Sequence, residues 1–299
     1  MSTPPPETLN SNNGWTLVAR RRGGKAISSH PSRPKNVNLT SSSSENPSPW
    51  TPMDSSTDPV RESNLLRRMQ SSISRLENSR FFCRFLSRMR DRQIQGGLQK
   101  LLSSCSGIQI VAYGIGSFDS YEVPRLQLAL ILLLKRELGA IAAGPVEVFD
   151  PVLSAVECAV AVAIGCMIVD VDEHGRRKAA VPTLFYMPHC EAALYNNLLD
   201  ANWKPTMLNR MVVLGNSFGS YARYASEMKG VNSSVAVEVE GRRVLEVARF
   251  VREVEIEEGN HIRVPKDDQE EEEFYRAFHD LSWHFFEIED DADMDFLSK

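Results

Sequence analysis

Five short apolar runs, Ile108 to Tyr113, Val146 to Phe149, Cys166 to Val169, Leu184 to Met187 and Met211 to Leu214, each end on a cluster of Gly, Asp, His, Asn or Ser. Runs of this length, separated by helix-length segments, specify strands buried on both faces, the pattern of a parallel sheet joined by helical crossovers. Ligands of such sheets bind beyond the carboxyl ends of the strands. The polar clusters therefore fall where a site would lie. The expected fold is α/β: a Rossmann-like three-layer domain with a mostly parallel sheet of about five to six strands, preceded by a helical segment and a disordered N-terminal tail.

The ends of the chain differ from its middle. Residues 1 to 59 are rich in Ser, Pro, Asn and Thr and poor in large apolar side chains, too little burial to offset ordering entropy. They read as a disordered tail. Within it, Trp15-Thr16-Leu17-Val18 precedes Arg20, Arg21, Arg22 and Lys25, a short basic motif suited to docking or import. Residues 60 to 104 read as a helical lead-in, 105 to 290 as the α/β domain and 291 to 299 as an acidic tail. The most apolar stretch, Leu126 to Leu134, ends at Lys135 and Arg136, far short of the roughly 18 to 20 residues that cross a bilayer. No membrane span is expected, and MSTPPPETLN lacks the form of a secretory signal. The five cysteines have no C-x-x-C spacing, so free thiols are expected rather than a disulfide framework or a zinc module. Charge is split along the chain: residues 1 to 105 carry 16 Lys and Arg against 7 Asp and Glu, and residues 253 to 299 carry 4 against 17. Such ends either attract each other or serve as solvated tails.

Local signals place the elements. Leu65, Leu66, Met69, Ile73 and Leu76, then Phe82, Phe85, Leu86 and Met89, recur at helical spacing. Arg80, Arg84 and Arg88 form a basic stripe, expected to be solvated on a surface helix. Pro124 suits the first turn of the helix after the first strand, and Gly139 its end. Ser154 and Glu157 match a capping box, with Gly165 closing that helix. Glu191 suits the first turn of the next helix, and the helix after the fifth strand is expected to reach about Met228. The link DEHGRRKAAV is too short for a helical crossover and reads as an irregular loop or hairpin. The segments VAVEVE and VLEVARFVREVEIEE mix strand and helix signals, and FHDLSWHFFEI reads as a terminal edge strand.

The motifs admit three kinds of ligand chemistry. Gly114-Ile115-Gly116, between a strand and a helix, is the start of a dinucleotide or S-adenosylmethionine loop, although Asp119 stands where a third glycine belongs. Two glycines also suit any tight turn. Asp119 would repel a phosphate, which favours S-adenosylmethionine over a dinucleotide, and Asp150 is placed to accept from a ribose. Gly215-Asn216-Ser217-Phe218-Gly219 matches the nucleophile elbow. Asp267, Asp268 and Asp280 follow as acids, and His261, His279 and His284 as bases. The alternative is that Ser217 caps its helix. His189 and Cys190 adjoin but have no second ligand pair, so no metal site is expected; His189 is expected to bond Asp119, Asp150 or Asn216. The candidate pocket is Gly114, Gly116, Ser117, Asp119, Asp150, His189, Asn216 and Ser217, for an S-adenosylmethionine-like or nucleotide ligand. Catalytic residues are not assigned; among enzymes, a methyltransferase-like use is favoured over hydrolysis.

Taken together, YGIGSF at 113 to 118, QLAL at 127 to 130, VFDP at 148 to 151, TLFYMPHCEAALYNNLL at 183 to 199, NW at 202 to 203 and VVLGNSF at 212 to 218 resemble the sensitivity-to-red-light-reduced family. GWTLVARRRGGK at 14 to 25 is similar to its leader. AFHDLSWHFF resembles a diverged form of its closing segment, with His279 where Asn is usual. The resemblance implies a plant regulator in phytochrome-B-linked red-light signalling and circadian clock input, present in nucleus and cytoplasm. Animal and fungal relatives have been connected with haem biosynthesis and cell growth, so the domain is not specific to light. The resemblance implies no chromophore and establishes no catalytic activity. Protein partners are expected, direct DNA binding is not, and a small-molecule ligand is compatible with it.

Overall fold

The computed structural model describes residues 47–103, 107–227, 241–257, 268–292 and 294. VAVEVE, His261, Asp267 and the Trp15 to Lys25 motif lie outside the described residues. Among those described, β1 (Ser48–Pro49) precedes three helices, α1 (Pro59–Glu77), α2 (Arg80–Met89) and α3 (Arg92–Leu102). Then come β2 (Ile108–Tyr113), α4 (Glu122–Leu138), β3 (Ala142–Phe149), α5 (Ala155–Ala163), β4 (Cys166–Ile168), β5 (Val171–Asp172) and β6 (Thr183–Met187). The rest comprises α6 (Ala192–Ala201), α7 (Pro205–Leu208), β7 (Met211–Asn216), α8 (Phe218–Glu227), α9 (Arg242–Val247), β8 (Val251–Glu255), α10 (Gln269–Phe278) and β9 (Leu281–Phe286).

The main sheet has seven strands in the order β4-β3-β2-β6-β7-β9-β8. The first five are parallel, β9 runs antiparallel to β7, and β8 antiparallel to β9. Numbered by appearance within the sheet, the order is 3-2-1-4-5-7-6. Its first five positions are those of a doubly wound sheet, whose switch point falls between β2 and β6. The five apolar runs and the expected terminal strand β9 make up six of the seven strands, and β8 adds one to the about five to six expected. LSWHFF is not an edge strand: β9 lies between β7 and β8, and all six of its residues are buried. β8 is the edge. The link after β4 is irregular, as read, but Val171–Asp172 pairs with Ser48–Pro49. The tail reading therefore does not extend to residues 47 to 58. Trp50 N–H donates to the Asp170 carbonyl at 2.7 Å and its ring packs edge-on against Phe149. Asp58 caps α1, accepting from Val60 N–H and Arg61 N–H.

Strand alternation divides the core into two layers. Ile108, Ile110 and Ala112 of β2, Leu184 and Tyr186 of β6, and Val212 and Leu214 of β7 face α1 to α5 and α10. Val111, Tyr113, Phe185, Met187 and Val213 face α6 to α9. The lead-in helices present the expected stripe, with Leu65, Met69, Leu76, Phe82 and Phe85 buried. The arginine stripe is not solvated throughout. Arg84 bonds Glu257 at 2.7 Å and Glu271 at 2.8 Å, and Arg88 donates to the Glu255 carbonyl at 3.0 Å. Among the described residues, no helix is long and apolar enough to cross a membrane.

Candidate functional site

The loop after β2 turns into α4 through two left-handed glycines, Gly114 (φ 70°) and Gly116 (φ 78°), a backbone form that side chains resist. Its N–H groups meet protein acceptors. Gly114 N–H donates to the Phe149 carbonyl at 3.3 Å, Gly116 N–H to the Asp150 carboxylate at 2.8 Å, and Asp119 N–H to Glu157 at 2.9 Å. The other Asp150 oxygen accepts Val152 N–H at 2.9 Å. Loop β2–α4 and loop β3–α5 are thus joined through two carboxylates. Glu157, which sequence reasoning saw only as a helix start, does most of this. It completes the capping box with Ser154 and also accepts from the Ser117 hydroxyl at 2.8 Å. The S-x-x-E spacing was its only sequence signal.

Asp119 is tied to α1 through its carboxylate. Arg61 donates to its carboxylate at 2.6 Å and Arg68 bonds the other oxygen, both from α1. Burial acts to raise its pKa, but these two guanidinium groups outweigh burial and hold it below the usual carboxylate range. Its expected repulsion of a phosphate is therefore cancelled locally.

At the end of β6, His189 adopts φ 52°. Its N–H donates to the Asn216 side-chain oxygen at 2.7 Å. The ring meets neither Asp119 nor Asp150; the Gln127 amide lies 3.2 Å from its Nδ1, and Nε2 faces the His279 carbonyl at 3.4 Å. Gln127 donating to Nδ1 leaves the ring proton on Nε2. Burial, with the neighbouring His279 adding to it, pushes the His189 pKa down to about 4, so the ring is neutral. Tyr195 and Tyr221 complete this side: Tyr195 OH accepts Asn216 N–H at 2.8 Å, and Tyr221 OH donates to the Cys190 carbonyl at 2.6 Å. Burial raises both phenol pKa values and that of the Cys190 thiol, so none of the three is an anionic nucleophile. Tyr195 fell within the resembling stretch at 183 to 199, whereas Tyr221 carried no sequence signal apart from lying on a helix.

Among the described residues, the nucleophile-elbow pattern does not assemble a triad. Ser217 N–H donates to the Asp280 carbonyl at 2.8 Å, and its Oγ accepts Ser220 N–H at 3.0 Å, which is the helix cap. Asp280 instead accepts from the Ser220 hydroxyl at 2.7 Å. His284 is fully buried between the Val213 carbonyl and Phe218 N–H. Among the described residues, no group of three or more His, Cys, Asp or Glu is placed to hold a metal ion.

The eight candidate residues thus fall into two groups. Gly114, Gly116, Ser117, Asp119 and Asp150 lie where loop β2–α4 meets Phe149, Asp150 and Glu157, while His189 bonds Asn216, Asn216 bonds the tyrosines and Ser217 bonds Asp280. They meet at the switch point, where a β-carbon at Gly114 would overlap the Cys190 Sγ. An S-adenosylmethionine or nucleotide in this loop would have to displace Asp150 from Gly116, and Cys190 fills the space beside Gly114. The arrangement as it stands holds loops together.

Fold and site define an α/β protein with its polar residues at the sheet's carboxyl ends and no assembled catalytic set among the described residues. A family model described as the SRR1 domain matches residues 94–285, and the chain belongs to that family. It is 38% identical over 246 residues to Protein SENSITIVITY TO RED LIGHT REDUCED 1 of Arabidopsis thaliana, covering 82% of this chain and 83% of that protein. It is 41% identical over 121 residues to an SRR1-like protein of Mus musculus, covering 40% of this chain and 48% of that one. A Drosophila melanogaster SRR1-like protein is 34% identical over 110 residues, 37% of this chain and 39% of that one. No solved structure matches.

Proposed function

We propose that this chain is a regulatory protein of red-light signalling, linked to phytochrome B, that feeds into the circadian clock and so affects clock-controlled gene expression. The observation that carries this reading is the 38% identity extending over 82% of the chain to a plant protein named for sensitivity to red light. The commitment of the loop N–H groups to Phe149, Asp150 and Glu157 supports a scaffold over an enzyme. The protein acts through protein partners, in nucleus and cytoplasm, without contacting DNA directly. In support of the last point, two arginines of the basic stripe engage the protein's own acidic residues and carbonyls. The test is expression of the full chain in an Arabidopsis line lacking the related protein. Restored control of stem elongation in red light and of the period of a clock-driven reporter is expected, with loss of the effect when phytochrome B is also absent. A chain expressed at normal level that changes neither readout would refute the reading. A fluorescent fusion excluded from nuclei would overturn the assigned location.

A second reading has one observation in its favour: Gly114, Gly116, Asp150 and His189 end the strands on either side of the switch point, where doubly wound sheets bind ligands. In this reading the domain senses S-adenosylmethionine or a nucleotide. Calorimetric titration of the full chain with S-adenosylmethionine, NAD and ATP decides it; absence of saturable binding removes it.

A further inference from the structure

Three guanidinium groups converge on Asp119. Arg61 and Arg68 take its carboxylate, while Arg68 and Arg125 both donate to its backbone carbonyl, at 2.8 and 3.3 Å. Among the described residues, Arg125 also donates to the Phe118 carbonyl at 3.0 Å. Arg67, one residue from Arg68 on α1, bonds Asn64. Neither Arg67 nor Arg125 forms an ion pair among the described residues, since the nearby carboxylates are engaged elsewhere. Glu122 is held by Arg75 at 2.7 Å, and Asp54 by Arg61 at 3.2 Å. Arg67 and Arg68 line a shallow depression with Asn64 and Ser71. The cluster therefore carries more positive than negative charge, with Arg67 and Arg68 exposed and Arg125 half-buried.

Apolar side chains adjoin it. Tyr121, the extended N-cap residue of α4 four positions before Arg125, is 67% exposed; Val60, next to Arg61 in sequence at the start of α1, is 69% exposed.

We propose that Arg67, Arg68 and Arg125, with Tyr121 and Val60 beside them, form a docking site for a phosphorylated serine or threonine segment of a protein partner. The charge argues for this occupant: a phosphate dianion offers three strong acceptor oxygens to forked guanidinium donors, and arginine clusters are how such groups are read. The exposed tyrosine and valine take apolar neighbours of the phosphorylated residue. The site lies on the seam of α1 and α4, outside the switch crevice, and does not depend on the red-light assignment.

The test is fluorescence anisotropy on the full chain with four probes: an octapeptide pool with one fixed phosphoserine and degenerate flanks, the same pool with serine, inorganic phosphate and ATP. The phosphoserine pool is expected to bind about tenfold or more tighter than the serine pool, with affinity falling as salt is raised. Phosphate alone is expected to compete weakly. Arg125→Gln with Arg67→Gln should reduce the phosphopeptide preference about tenfold or more while the melting temperature holds. Arg67→Gln alone, at an exposed position bonding Asn64, gives the same direction should the double variant unfold. Equal binding of the two pools overturns the proposal, as does a preference unchanged in the folded variants. ATP competing at lower concentration than the phosphopeptide would identify a nucleotide site and equally overturn it.

Discussion

Gly114 and Gly116 share a backbone conformation but not a neighbourhood, and that difference separates two effects of a side chain. At both, alanine is strained by its left-handed φ, worth about 1 to 2 kcal/mol. At Gly114 the methyl also overlaps the Cys190 Sγ, whereas at Gly116 its nearest neighbour is Pro124 at an ordinary 3.5 Å. Gly114→Ala is therefore expected to cost about 3 kcal/mol and Gly116→Ala about 1 kcal/mol by urea denaturation; equal costs would show that Cys190 moves aside. The second residue-scale prediction concerns His189. Its folded pKa of about 4 lies below the ordinary 6.5, so the unfolded chain binds the proton more readily. Its stabilising contribution is complete above pH 6.5 and is lost as pH falls from 6.5 towards 4. His284, also held below its ordinary pKa chiefly by burial, adds to the same trend. His189→Asn keeps a polar residue that tolerates positive φ and does not titrate. Its denaturation free energy should fall less between pH 7 and pH 4 than that of the natural chain; parallel curves would show that His189 is protonated in the folded state.

The capping box was legible at the level of elements because it is a local rule: Ser154 and Glu157 stand three residues apart and bond each other. The parallel strands were legible for a similar reason, since burial on both faces leaves continuous apolar runs. β9 was legible as a strand but its place inside the sheet was not, and neither was β8. β8 reads Val-Arg-Glu-Val-Glu, whose charges suit an edge strand as well as they suit a helix, and only its pairing with β9 decides between them. Two-residue pairings such as Ser48–Pro49 with Val171–Asp172 are too short to carry a period. At the site, the glycines were legible because their conformation restricts the residue type. The partners of Asp119 were not, because Arg61 and Arg68 are separated from it by 58 and 51 residues and arrive on another helix. Glu157 joins the two kinds of information, as a local cap and a distant tether. Glu157→Ala should therefore cost more than the roughly 1 kcal/mol of a lost cap, about 3 kcal/mol, since it also frees Ser117 and Asp119 N–H. Increased hydrogen exchange should then appear at residues 117 to 120 as well as in the first turn of α5. Exchange confined to α5 would show that the loop holds itself.

Across the domain, basic side chains of the lead-in helices meet carboxylates of the acidic rear among the described residues. Arg84 binds Glu257 and Glu271, Arg75 binds Glu273, and Lys100 lies 3.6 Å from Glu287. Hydrogen bonding to Glu271, the largest influence, and to Glu257 holds the Arg84 guanidinium above its ordinary pKa against the opposing effect of burial. These pairs join α2 to α10 and to the end of β8, elements far apart in sequence, and they lie partly in solvent. Each is worth little alone, but one arginine shared by two carboxylates fixes α10 over the aromatic layer of Phe81, Phe274 and Phe278. A double-mutant cycle on Arg84→Ala and Glu271→Ala should give a coupling of about 1 kcal/mol at low salt. In about 1 M salt, where the Debye length is about 3 Å, the coupling should fall by about half, because the contact is partly shielded from solvent. Complete loss would place the pair among ordinary surface contacts. No loss would mean that α10 shields the pair from ions, so that the opposite charges of the two ends contribute to the cohesion of the domain as well as to its solvation.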